Sequence, residues 1–106
     1  MNRKIARDRQ KLKISALVAV VEKITGVSTK KILSHVRDAD AVQARQIAMF
    51  VAREYLLCSF PVIGHELGDR DHTTVIYGCR KISERIEVEG ALHRCVSRVL
   101  HEMNLP

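Results

Sequence analysis

The chain has 106 residues, 46% of them hydrophobic and 28% charged, with a formal net charge of +6. That length gives one domain with one core, and no apolar run approaches the roughly 20 residues of a membrane span. Cys58, Cys79 and Cys95 are odd in number and lack C-x-x-C spacing, and the five histidines share no ligand spacing with them. These cysteines read as buried or half-buried thiols in a reducing cytoplasm, and neither a metal nor a cofactor is expected.

The chain opens on a basic tail. Residues 1–13 hold six basic residues, Arg3, Lys4, Arg7, Arg9, Lys11 and Lys13, against Asp8 alone. They carry +5 of the net charge, so residues 14–106 are nearly neutral. No apolar signal stretch with a small-residue cleavage site follows Met1-Asn2-Arg3-Lys4. The tail reads as a linker-like segment, either an arm that contacts phosphates or a solvated leader.

From Ile14 onward every pattern is helical. Ile14, Leu17, Val18, Val21 and Ile24 recur at i, i+3, i+4 and i+7, and Gly26 stops that helix. Ser28 caps a short helix with Ile32 and Leu33. Residues 35–41 form a connection. Ala44, Ile47, Ala48, Val51, Ala52 and Tyr55 make one apolar stripe on a long central helix over roughly 41–57. Ser59-Phe60-Pro61 opens a short helix with Pro61 in the first turn, where its missing N–H costs nothing. Ile63 and Leu67 face the core, and Gly68 ends it. Asp71 is the expected N-cap of a helix from about His72 to Ile86, with Val75, Cys79, Ile82 and Ile86 buried. Gly90 precedes a last helix carrying Leu92, Val96, Val99, Leu100 and Met103.

The most informative stretch is Arg70-Asp71-His72-Thr73-Thr74-Val75. It lies between two short apolar helices, after a Gly68–Arg70 turn. That is the layout of a helix-turn-helix, whose second helix puts its first turn into the DNA major groove. Asp71 serves as a cap or as an acceptor for base amines. Thr73 and Thr74 are poor helix formers, but a Thr methyl packs on a thymine methyl and its hydroxyl reaches a base or phosphate. His72 offers two ring nitrogens. As a catalytic base it would need a nucleophile and an orienting group, and none is implied, so no enzyme is expected.

Gly68 through Ile76 closely resembles the signature of the C-terminal DNA-binding domain of DnaA, the bacterial replication initiator. Two blocks carry the resemblance: Ala44-Arg45-Gln46-Ile47-Ala48-Met49, and Pro61-x-Ile63-Gly64 followed by Gly68–Ile76 and Cys79-Arg80-Lys81-Ile82. The resemblance covers roughly residues 14–103. The resemblance implies an all-α, Trp-repressor-like domain that binds the nine-base-pair DnaA box in double-stranded DNA. It implies base contacts from Asp71, His72 and Thr73 in the major groove, and from Phe60 and Pro61 near thymine methyls. Arg37 matches the basic-loop arginine that enters the minor groove, where A·T-rich narrowing favours a cation. Arg45, Gln46, Thr74 and Lys81 match phosphate contacts.

Two departures stand out. The family's basic loop is dense in Arg and Lys, whereas here it reads His35-Val36-Arg37-Asp38-Ala39-Asp40, with two carboxylates. Ala44 replaces the usual Pro. Fewer phosphate contacts weaken binding and flatten its salt dependence. No G-x-x-x-x-G-K-[ST] occurs, so there is no ATP-cradling loop. The numbering from Met1 and the eroded loop favour a stand-alone regulator, acting as a monomer on the nucleoid in the cytoplasm, with other replication or transcription proteins as further partners. The alternatives are the C-terminal domain of an initiator, or a protein-interaction module that kept the fold and lost DNA binding.

Overall fold

Four of the helices open in the same way, with a short polar side chain accepting the N–H three residues on. In the computed structural model, which describes residues 3–106, Ser28 Oγ accepts from Lys31 at 3.1 Å and Asp38 Oδ1 from Ala41 at 2.9 Å. Ser59 Oγ accepts from Val62 at 3.3 Å and Asp71 Oδ1 from Thr74 at 2.9 Å. Each satisfies a donor that the first turn of a helix leaves unpaired. The elements are α1 (Arg3–Thr25), α2 (Thr29–Leu33), α3 (Ala39–Glu54), α4 (Phe60–Glu66), α5 (His72–Ile86) and α6 (Gly90–Glu102). The all-α expectation holds, and five of the six helices sit where the apolar pattern put them.

The start of the chain differs from expectation. Residues 3–13 are not a linker but the first turns of α1. They contain no Gly or Pro and consist mostly of Arg, Lys, Gln and Ala, which are strong helix formers. Their second contribution is contact: Gln10 Oε1 accepts from the Ser59 N–H at 2.9 Å, and Lys11 lies 3.9 Å from Glu66. Residues 1 and 2 lie outside the described part. At α3, the Asp38 cap starts the helix two residues earlier than the apolar stripe suggested. Tyr55 falls at its C-cap, half-exposed, with its ring edge-on to Phe50.

α3 is the central element. Ala41, Ala44, Ile47, Ala48, Val51 and Ala52 are almost fully buried, and α3 packs most extensively on α5 and next on α1. Val75 and Ile82 of α5, Ile14, Leu17 and Val21 of α1, and Ile63 and Leu67 around α4 complete one core. α6 closes it with Leu92, Val96 and Val99.

The turn between α4 and α5 is held closely. The Arg70 N–H donates to Gly64 O at 2.8 Å, and a Cβ on Gly64 would lie 2.1 Å from Arg70 O. Only glycine lets the chain fold back there. Gly68 takes φ +95°, a left-handed conformation that costs glycine little, and its Cα face abuts the Leu33 carbonyl of α2. The cysteines are all free, Cys58 and Cys79 buried and Cys95 half-buried. None of the described helices is long and apolar enough to cross a membrane.

Candidate nucleic-acid interface

The first turn of α5 projects from the body of the protein. Asp71, His72, Thr73 and Thr74 are all exposed, whereas Val75 behind them is fully buried. The helix therefore anchors by its apolar face and presents its opening polar turn to solvent. The Thr74 N–H holds the Asp71 carboxyl below the usual carboxylate range, helped by the Thr74 hydroxyl and the Thr73 N–H. Asp71 is thus an ionised acceptor at neutral pH, with one oxygen engaged as a cap. An oxygen not spent on the cap is of the type that accepts from the exocyclic amines of cytosine or adenine.

Two shallow grooves flank this turn and share Arg70. One is lined by Pro61, His65, Asp71 and His72, the other by Arg37, Gln46, Thr74 and Tyr77. The surface thus gathers Pro61, Asp71, His72, Arg37, Gln46 and Thr74 from four separate stretches of sequence. Lys81 continues it one turn further along α5, its Nζ 5.7 Å from the Tyr77 ring centroid. Phe60 is not part of either groove. Its ring lies 4.0 Å beneath the Arg53 guanidinium, packed against the core. Of the two residues at the start of α4, Pro61 is the one beside His72.

Arg45, which the motif marks as a phosphate contact, is held against the body of the protein where it lines the Arg37–Thr74 groove. It is 6% exposed. Its Nε donates to Ile32 O at 2.8 Å, and its Nη2 donates to Lys31 O, Ser34 O and Val36 O at 3.0–3.2 Å. Ile32 lies in the last turn of α2, whose carbonyls lack an onward helical donor, Lys31 O also takes the Ser34 N–H, and Ser34 and Val36 follow in the loop. A planar, fixed fork of donors suits acceptors grouped in this way. Reaching a phosphate through Nε or Nη2 would release these bonds. Burial, and the nearby positive charge of Arg70, push the Arg45 pKa down.

Arg70 was visible in the motif but had no role assigned. Its Nη2 also donates to Ser34 O, and its Nη1 stands 3.4 Å from His35 Nδ1. Two arginines, one from α3 and one from the turn before α5, thus hold the Ser34–Asp38 loop from both sides. That loop carries Arg37, so the same brace sets where Arg37 stands relative to α5. Tyr77 was also missed. It is 54% exposed and lies one turn beyond Thr74, on the face opposite the Val75–Cys79–Ile82 stripe. That opposite face was the signal.

The carboxylates of the loop are less intrusive than the sequence suggested. Asp38 caps α3 and pairs with Lys31 at 2.7 Å. The Lys31 ammonium, together with the Ala41 N–H, keeps its carboxyl below the ordinary range. One of the two negative charges is therefore already compensated within the protein.

Residues 14–82 match the family described as the bacterial dnaA protein helix-turn-helix. The chain belongs to this family. Relatives of the DnaA helix-turn-helix in this chain include the chromosomal replication initiator protein DnaA of Chloroflexus aggregans, 33% identical over 92% of this chain and 20% of that protein. The DnaA of Xanthobacter autotrophicus is 40% identical over 80% of this chain and 17% of its own length. A crystal structure of a DNA replication initiation factor superposes with a TM-score of 0.77 at 25% identity, covering 94% of this chain and 31% of that one. The chain spans about a fifth of the length of these curated DnaA relatives.

Proposed function

We propose that this chain binds double-stranded DNA at DnaA-box-like sites, with the first turn of α5 in the major groove and Arg37 in the adjacent minor groove. The observation that carries this reading is the exposed Asp71-His72-Thr73-Thr74 turn, set on a buried stripe and next to Arg37 along one continuous face. Asp71 accepts from a base amine, and His72 meets a base edge through a ring nitrogen. The Thr73 methyl and Pro61 meet thymine methyls. Gln46, Thr74 and Lys81 take phosphates and fix register without reading sequence.

The DnaA relatives are initiators five times longer, and the proposal concerns the DNA-reading step alone. Acting with no ATPase of its own, such a module is a regulator that occupies boxes. Joined to an ATPase, it anchors an initiator there. Both readings use the same contacts, and both need only one copy of this domain per site. The reading as a protein-interaction module rests on the two loop carboxylates, of which Asp38 is paired with Lys31.

The test is a pair of variants, His72→Ala and Thr73→Ala. Neither side chain is part of the core, so stability should change by no more than about 0.5 kcal/mol. Each lost base contact should cost about 1–3 kcal/mol of discrimination. If both variants melt like the parent and still select the box, α5 is not the reading helix.

A further inference from the structure

We infer that the N-terminal half of α1 is a rigid cationic edge that grips duplex phosphates on the flank of the site away from Arg37. This rests on the proposed DNA-binding reading and extends its footprint in one stated direction.

Three surface depressions run in series. The first holds Arg37, Thr74 and Arg70; the second holds Arg70, His72, Pro61 and His65. The third holds Pro61, Val62 and His65 together with Arg3, Arg7 and Lys11. Each shares residues with the next, so the reading face continues past Pro61 and His65 onto α1. Arg3, Arg7 and Lys11 are spaced four apart and lie on one face of the helix. From Arg3 to Lys11 the helix rises about 12 Å, enough to follow several phosphates of a duplex that carries one charge per roughly 1.7 Å.

The charges on this edge favour an anion. Among the described residues, neither Arg3 nor Arg7 is paired with a carboxylate. Glu66 is the carboxylate in the groove, and it stands 3.9 Å from both Lys11 Nζ and His65 Nε2. Asp69, in the neighbouring depression, is 2.8 Å from His65 Nδ1. Gln10 bonds the Ser59 N–H and ties this part of α1 to the start of α4. The edge is therefore fixed relative to Pro61, unlike a loose arm that would reach either flank. The complementary surface is the phosphate backbone beside the box, because continuity with the reading turn places it there.

The experiment measures log affinity against log salt for the parent and for the double variant Arg3→Gln plus Arg7→Gln. The probes are four duplexes, each with one nine-base-pair DnaA box, carrying about eight flanking base pairs on both sides, on either side alone, or on neither. Two lost phosphate contacts should lower the slope by about 1.8, so that over a fourfold rise in salt the advantage of the parent shrinks by about twelvefold. This difference is expected on the doubly flanked duplex and on one singly flanked duplex, and should vanish on the other two. Equal slopes for parent and variant on every duplex would overturn the edge and leave the function standing. A difference of equal size on both flanks would also overturn it, in favour of a loose arm. If the parent shows no preference for box over scrambled DNA, the functional reading falls and the edge with it. Arg7→Glu provides a second variant, with a larger slope loss on the same flank only and an unchanged helical circular dichroism signal.

Discussion

Replacing Arg45 separates two jobs that the motif alone cannot tell apart. In Arg45→Met the aliphatic stem is kept and the guanidinium is lost. The Ile32 and Val36 carbonyls lose this donor outright, whereas Lys31 O keeps the Ser34 N–H and hydroxyl and Ser34 O keeps Arg70 Nη2. A hydrogen bond to a charged group nets about 1.5–3 kcal/mol. The four bonds do not add, because Lys31 O and Ser34 O keep other donors and Val36 is 43% exposed, so water can replace the bond there. The loss should fall near 1.5–3 kcal/mol, mostly from the Ile32 carbonyl at the end of α2. That is a large share of the roughly 5–15 kcal/mol that holds a domain together. Arg45→Lys should recover little, since one point charge cannot span the fork. The assays are urea unfolding and the salt dependence of box binding on the same proteins. A phosphate ligand would behave in the opposite way, with stability unchanged and the slope lower by about 0.9. That pair of results would refute the brace. The brace further requires that Arg45→Met lose the A·T preference conferred by Arg37, because the loop that carries Arg37 is freed.

Arg37→Ala should weaken binding by about 1–3 kcal/mol, and only on sites with A·T pairs beneath it; unchanged A·T preference in a base-substitution series would remove Arg37 from the minor groove. Gly64→Ala forces a Cβ to within 2.1 Å of the Arg70 carbonyl. Because that neighbour is backbone, it should destabilise by at least the roughly 1–3 kcal/mol of an overpacked site, read from the urea midpoint. Burial, with Glu54 adding to it, pushes the Cys79 thiol up to about 11 from an ordinary 9.0. The unfolded chain therefore releases this proton first, and the contribution of Cys79 to stability is intact below pH 9 and lost as the pH rises toward 11. The stability gap between the parent and Cys79→Ala should shrink over that range, and a constant gap would contradict the shift.

Helix positions and caps were legible because their signals are local. Ser28, Ser59 and Asp71 cap where their residue types indicate, and the Val75–Cys79–Ile82 stripe is buried as spaced. The reading turn was legible for the same reason: polar side chains stand where an apolar helix begins. Three things were not. The helicity of residues 3–13 hid behind a charge run, since solvated helix and linker share a composition, and what fixes the helix is contact with Ser59 and Glu66 far along the chain. The duty of Arg45 depends on carbonyls nine to fourteen residues away, which no spacing rule encodes. Asp38 looked repulsive toward DNA because its partner, Lys31, comes close only once α2 and α3 have packed.

The central claim is that the exposed turn of α5 reads sequence. Competition binding at one fixed salt concentration, between a duplex carrying a DnaA box and a scrambled duplex of the same length and composition, tests it most directly. The account predicts a preference of about a thousandfold or more, the range in which specific binders exceed their own non-specific affinity. Equal competition by both duplexes, from a protein that is folded and binds DNA, would contradict it.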